Sequence, residues 1–303
     1  MNNNAKYRIV KWSVITLILI AILVIGLIFN GLRSGFSGLT SYEDTDEYSV
    51  GAASIKEKID SLDINWISGS VRIEVYDGDA VELRETSVSD TDDALRYVVR
   101  GGKLTVQYRK SSSWFSFFGH VSEKDLTVMV PRDMAADMKD VTVETTSADI
   151  SVTSLSVNEE LRIDTVSGDV SLEDVTTKDL ACGTVSGEIT AENLTAVSVS
   201  IDTVSGDTHV GGDVSKVEFD STSGDLELHS TAKLSSVDTD TVSGDVTLVI
   251  PEDNGFTAEL DTVSGELSCD DGLKKQKDKY IYGDGSADFS FESVSGCVNI
   301  RFD

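Results

Sequence analysis

Val197-Ser198-Val199-Ser200-Ile201-Asp202-Thr203-Val204-Ser205-Gly206-Asp207-Thr208-His209-Val210 holds two periods at once. Within it, apolar and polar residues alternate on both sides of a Thr-Val-Ser-Gly-Asp centre, the period-two mark of short strands. The centre itself then recurs. Ser-Gly, or the variant Ser147-Ala148, places its serine at 68, 147, 167, 186, 205, 223, 243, 264 and 295, with gaps of 79, 20, 19, 19, 18, 20, 21 and 31 residues. A spacing of 18–21 is too short for propeller blades or helical repeats and suits one coil of a β-solenoid.

Before the corner, Val197, Val199, Ile201 and Thr203 alternate with Ser198, Ser200 and Asp202, as do Val217/Phe219/Ser221, Phe256/Ala258/Leu260/Thr262 and Phe289/Phe291/Ser293 with their neighbours. After it come Val170/Leu172, Ile189/Ala191, Leu226/Leu228, Val246/Leu248 and Val298/Ile300. Each strand therefore has one face to bury. Gly168, Gly187, Gly206, Gly224, Gly244, Gly265 and Gly296 stand where a Cβ would hinder the corner, and the following acid can bond local amides. One coil cannot bury its own apolar face. Consecutive copies stacked about 4.8 Å apart can, and the motifs from Ser147 onward would give a rod of about 35–40 Å. The expected fold is all-β: a single-stranded β-solenoid (β-helix) with coils of about 18–21 residues, preceded by one N-terminal transmembrane helix.

That helix is read from Trp12 to Leu32, 21 consecutive uncharged residues and long enough to cross a bilayer. Lys6, Arg8 and Lys11 precede it and only Arg33 follows closely, so the positive-inside bias places the N-terminus in the cytoplasm and the rest outside the cell. The run is too long for a signal-peptide core and lacks an Ala-x-Ala-like site. The chain then divides into a cytoplasmic tail (1–11), a membrane helix (12–32), a flexible acidic linker (33–50), an N-terminal β region with solenoid cap (51–130) and the TVSGD-repeat solenoid (131–303). The 79-residue gap holds strand-like runs at Val81–Leu83, Leu104–Val106 and Leu126–Val130, read as degenerate coils or a cap.

Charge removes one class of partner. The three cations before residue 33 leave 25 − 3 = 22 Lys and Arg against 53 Asp and Glu, a formal −31. Nucleic-acid binding needs a basic footprint, so none is expected. Three scattered Cys and three scattered His give neither a disulfide scaffold nor a zinc pattern. Cys182 and Cys269 fall at inward positions, Cys297 at an outward one, and His209 and His229 should face solvent. No nucleophile elbow, phosphate loop or His-Glu-x-x-His is present, and between residues 133 and 300 the only Arg is Arg162, so no catalytic residue and no cofactor are expected.

Stacking would turn sequence columns into ladders. One runs through Glu144, Asp164, Asp202, Asp220, Asp240, Asp261 and Glu292, broken by Gly183; a second runs through Asp149, Asp169, Glu188, Asp207, Asp225, Asp245 and Glu266 and ends at Cys297. Asp169, Asp207, Asp225 and Asp245 are the candidate oxygen ligands for Ca²⁺, against the plainer reading of a solvated face kept for turn chemistry. A valine column (Val166, Val185, Val204, Val242, Val263, Val294) either bulges inward, the favoured expectation, or lies outside. Candidates for partner contact are the aromatic run Trp114, Phe115, Phe117 and Phe118, which can equally cap the solenoid, and the inserted loop with Lys274, Lys275 and Lys277.

Taken together, the repeated TVSGD units, the strand-Pro elements ending at Pro131 and Pro251, and Tyr282-Gly283-Asp284-Gly285 before the last Ser-Gly strand resemble the bacterial "putative adhesin" family. These are β-strand-repeat domains of unknown function that include LiaG-like membrane-anchored envelope proteins. The resemblance covers roughly residues 55–303 and implies a β-repeat domain with no catalytic residues to carry over. The expected role is a non-catalytic, extracytoplasmic envelope interaction module meeting cell-wall polymer or an envelope membrane protein. The alternatives are an accessory in envelope-stress signalling and, further off, a polysaccharide-active β-helix enzyme.

Overall fold

The structure is a computed structural model that describes residues 47–86, 93–109, 123–270, 272–277 and 279–303. The expected membrane helix (12–32) and the aromatic run Trp114–Phe118 lie outside the described residues. Among the described residues no helix is long and apolar enough to cross a membrane. One 22-stranded sheet carries the fold, and the only helix among them is the single turn Arg132–Ala135.

The expected coil stacking is present, and its register is parallel. Through the segment before each corner, Asp202 aligns with Asp220, Asp220 with Asp240, and Thr203 with Ser221 and then Thr241. After the corner, Ile150 aligns with Val170, Val170 with Ile189, Ile189 with Thr208, Thr208 with Leu226, and Leu226 with Val246. Inward residues such as Leu161, Ile163, Leu172, Ile201, Phe219 and Leu248 are almost wholly buried and form one continuous core. Burying such side chains contributes roughly 1.5–3 kcal/mol apiece before chain entropy is charged against it.

Each coil has three sides rather than two. In the coil from Leu161, buried residues alternate through Thr165, resume at Gly168, Val170 and Leu172, and resume again at Val175 and Thr177. Two consecutive outward residues mark each corner between these sides: 166–167, 173–174 and 178–179. The middle corner takes positive φ at Ser154, Asp174, Asn193 and Gly212. This phase change corrects the reading of Val197 as a core residue. It is 52% exposed, because the inward positions are Ala196 before the corner and Val199 after it.

Chain order and stacking order part company at both ends. The coil from Ala287 to Phe302 lies between Ser236–Ile250 and Phe256–Cys269: Asp240 aligns with Glu292 and Glu292 with Asp261. Likewise Ser61–Tyr76 lies between Asp140–Thr153 and a degenerate coil made of Lys103–Gln107 and Lys124–Pro131. The expectation that consecutive Ser-Gly copies sit atop one another therefore holds from Ser68, which aligns with Ser147, through Ser243, and fails only at the last two copies. The physical reason is visible in the glycines. A Cβ on Gly296 would come within 2.0 Å of the Gly244 carbonyl oxygen, and one on Gly265 within 2.1 Å of the Gly296 oxygen. Any Ser-Gly coil can pack on any other, so the order is open to the connecting loops.

Antiparallel strands finish the N-terminal end. Arg96–Arg100 pairs with Lys103–Gln107, Val81–Glu85 with the Lys124–Pro131 strand, and Ala53–Ile55 with Val81–Leu83. Ser49–Val50, inside the expected linker, pairs with Arg96 and Tyr97. The 79-residue gap thus holds one degenerate coil and a cap.

Candidate functional site: the repeated corner and its ladders

The corner is built from the buried residue that precedes the valine. Thr203 is 1% exposed and its Oγ1 accepts the Gly206 amide at 2.8 Å; Thr165 and Thr184 do the same for Gly168 and Gly187 at 3.1 and 2.9 Å. Ser221 and Ser293 replace threonine and hold Gly224 and Gly296 at 2.7 and 2.6 Å. This hydroxyl closes a tight turn by taking an amide that would otherwise be buried without a partner. Outside it, the serine Oγ donates to a carbonyl of the neighbouring coil, as from Ser205 to Val185 at 3.2 Å and Ser223 to Val204 at 3.3 Å.

The valine column does not bulge inward. Val166, Val185, Val204, Val242 and Val294 are half-buried, and Val263 in the outermost coil is 47% exposed. Thr203-type hydroxyls occupy the inward position, so the following residue must face out, covered on its flanks by its stacked copies. Cys182 is buried as expected, and burial pushes its thiol up to about 12. Cys269, expected inward, is half-buried like Cys297, and none of the three is in a disulfide among the described residues. His209 and His229 are exposed, as expected, beside Glu227 at 3.3 Å and Asp303 at 3.2 Å.

The second acidic ladder has a structural task. Asp169 Oδ1 accepts the Glu188 amide at 3.0 Å, Asp207 Oδ1 the Asp225 amide at 3.1 Å, Asp225 Oδ1 the Asp245 amide at 2.8 Å, and Asp245 Oδ1 the Cys297 amide at 2.7 Å. Each candidate Ca²⁺ ligand thus ties its own coil to the next through a charge-assisted bond. Among the described residues no three Asp, Glu, His or Cys side chains are grouped to hold a metal ion.

The first ladder is electrostatically different. Glu144, Asp164, Asp202, Asp220 and Asp240 are half-buried, Asp261 and Glu292 are exposed, and the members align coil to coil except where Gly183 stands between Asp164 and Asp202. Burial first, then the neighbouring carboxylates Asp202, Asp240, Glu218 and Asp238, pushes Asp220 up to about 7. Burial, then Glu292, Asp238 and Glu218, pushes Asp240 up to about 6. Burial is also the leading cause of the upward shifts at Glu144, Asp164 and Asp202, with Arg162 opposing it.

Lys124 forms a cluster that the sequence reading did not single out. Its side chain is 2% exposed and pairs with Glu85, 5% exposed. The ammonium also donates to the Asp93 carbonyl at 2.6 Å and to that of Tyr108, and lies 3.9 Å from the Tyr108 ring centroid and 4.9 Å from that of Trp66. All three of its protons are thereby used. Burial pushes the Lys124 pKa down while Glu85 pulls it up. The signal was present: Lys124, Leu126, Val128 and Val130 share one parity, as do Val81, Leu83 and Glu85, which puts both charges on inward phases. Of the lysine candidates, Lys274 and Lys275 lie on the exposed strand Lys274–Gln276 and Lys277 in the turn after it.

The class is now defined: an all-β solenoid with three-sided coils, held at one edge by repeated hydroxyl–glycine corners. The chain belongs to the Toastrack DUF4097 family, which it matches over residues 59–301. Among solved structures it is similar to a Parabacteroides distasonis protein described as a "putative lipid binding protein", at 18% identity and TM-score 0.50, covering 86% of this chain and 98% of that one. It is also similar to a "putative adhesin" of the same species, at 12% identity and TM-score 0.46, covering 84% and 97%. A "putative adhesin" from Bacteroides fragilis follows at 12% identity and TM-score 0.42, covering 86% and 99%. No curated protein matches the chain.

Proposed function

We propose that this chain is a non-catalytic module of the bacterial envelope, anchored through residues 12–32 with its N-terminus in the cytoplasm and its solenoid outside the cell. The observation that carries the reading is the 21-residue apolar run, with Lys6, Arg8 and Lys11 before it, joined to a stacked β domain. Coil stacking gives such a domain a long, rigid flank of repeated serine, valine and carboxylate positions. Extended surfaces of this kind are what solenoids use to meet partners. The expected partner is wall polymer or another envelope protein.

The test uses the full chain in intact cells with an epitope after Asp303. The reading expects the epitope to be reached by external protease and antibody, and the purified chain to be retained on isolated cell wall without shortening its glycans. An epitope protected until the membrane is opened would overturn the anchoring. Release of glycan fragments would overturn the non-catalytic role.

A further inference from the structure

The two ends of the solenoid are finished differently. At the N-terminal end both segments of the outermost coil are covered by antiparallel strands. At the C-terminal end the outermost coil is Phe256–Cys269, and only Phe256–Glu259 is covered, by Lys279–Tyr282, on which Lys274–Gln276 lies as the last strand. Among the described residues, Leu260–Thr262 pairs with a strand on one side only, and so does Lys274–Gln276. The end face is therefore a step. A two-stranded hairpin rises over one half, and an open edge leading into the corner at Val263, 47% exposed, forms the other.

The halves of this step carry opposite charge. The hairpin bears Lys274, Lys275 and Lys277, all exposed; the open half bears Asp261 and Glu266, also exposed. Lys274, Lys277, Asp261 and Glu266 have no ion-pair partner among the described residues, whereas Lys279 is already paired with Glu259. Edge lysines ordinarily discourage indiscriminate strand pairing. Against an acidic edge of matching position they select a partner instead.

We propose that this end face is a self-complementary interface, on which a second copy of the chain docks tail to tail about a two-fold axis across the rod. A two-fold axis sets each patch against its counterpart. The raised hairpin of each copy fills the step of the other, with Lys274, Lys275 and Lys277 brought to Asp261 and Glu266 and the open strand edges brought together. The N-terminal caps then lie at opposite poles of the pair. An end face is small beside a typical stable interface, so the dimer forms in proportion to concentration and weakens with salt. This inference goes beyond the proposed function and does not depend on the anchor.

The test compares four full-length chains in the same detergent at low salt: wild type, K274E/K275E, D261K/E266K and the combination of all four changes. Association through the shared N-terminal residues is the same in every one. The expected result is a dissociation constant raised about tenfold or more by either pair of changes and largely restored by the combination, which swaps the charges. Carbodiimide applied to an equal mixture of isotopically light and heavy wild-type chains should yield mixed-isotope links between the hairpin lysines and Asp261 or Glu266. Equal association in all four chains, no association in any, or links confined to chains of one isotope would overturn the proposal.

Discussion

Asp220→Asn tests the acidic ladder through its pH dependence. Asp220 sits in register between Asp202 and Asp240, with Glu218 and Asp238 on the same face. Its carboxyl is raised from 3.8 to about 7, so the folded protein keeps a proton that the unfolded chain has already released. Stability from this group is therefore fully present below about pH 4 and is lost as pH rises through about 7. Sealed from water, a difference of that size would correspond to about 4 kcal/mol. The side chain is only half-buried, and solvent screening reduces this to about 2 kcal/mol. Asn removes the charge and keeps the shape. The expected outcome is a melting temperature higher by about 5 °C at pH 8 and nearly unchanged at pH 4, read by circular dichroism at fixed ionic strength. An equal shift at both pH values, or a lower melting temperature at pH 8, would refute the reasoning.

Other substitutions read the remaining physics. Thr203→Val leaves the Gly206 amide without its acceptor and should lower stability by about 1–3 kcal/mol, while Thr203→Ser, which copies Ser221, should change little; urea midpoints separate the two. Thr208→Val should do the opposite: Thr208 Oγ1 is buried with no hydrogen-bond partner among the described residues, so its removal is expected to raise stability by about 1 kcal/mol, seen as a higher urea midpoint. Glu85→Gln leaves the Lys124 ammonium buried without its counter-charge and should lower stability by about 3–5 kcal/mol, whereas Glu85→Leu with Lys124→Met should recover most of it; thermal melts of the single and double variants decide.

Much of the solenoid was legible because its two strongest signals are local. Period-two alternation marks the strand faces and the return of Ser-Gly marks the coil length, so the sequence alone places Ile201, Phe219 and Leu248 inside. What was not legible depends on contacts distant in sequence. Nothing in Phe289-Ser290-Phe291 says whether it packs on Val237 or on Ala258; it packs on both, because the Gly244, Gly296 and Gly265 columns accept any neighbour. The third side was hidden in brief pairs such as Val175 and Thr177, too short to register as strands. The valine column was misjudged because the alternation, which turns the residue after Thr203 outward, was set aside at the corner in favour of an inward bulge, although the buried Thr203 hydroxyl already holds the inward place. Lys124 and Glu85 were passed over although both stand in inward phase, since parity was applied to apolar residues alone.

The central claim is that like positions of the repeats lie side by side, with the last coil inserted between its two predecessors. Cysteine pairs in an otherwise cysteine-free chain test it directly, joined by a short thiol cross-linker in the folded state. Asp240→Cys with Glu292→Cys, and Glu292→Cys with Asp261→Cys, occupy aligned positions on adjacent strands and should link rapidly. Asp240→Cys with Asp261→Cys, separated by that strand, should not. Rapid linking of the 240–261 pair with none at 240–292 would contradict the account.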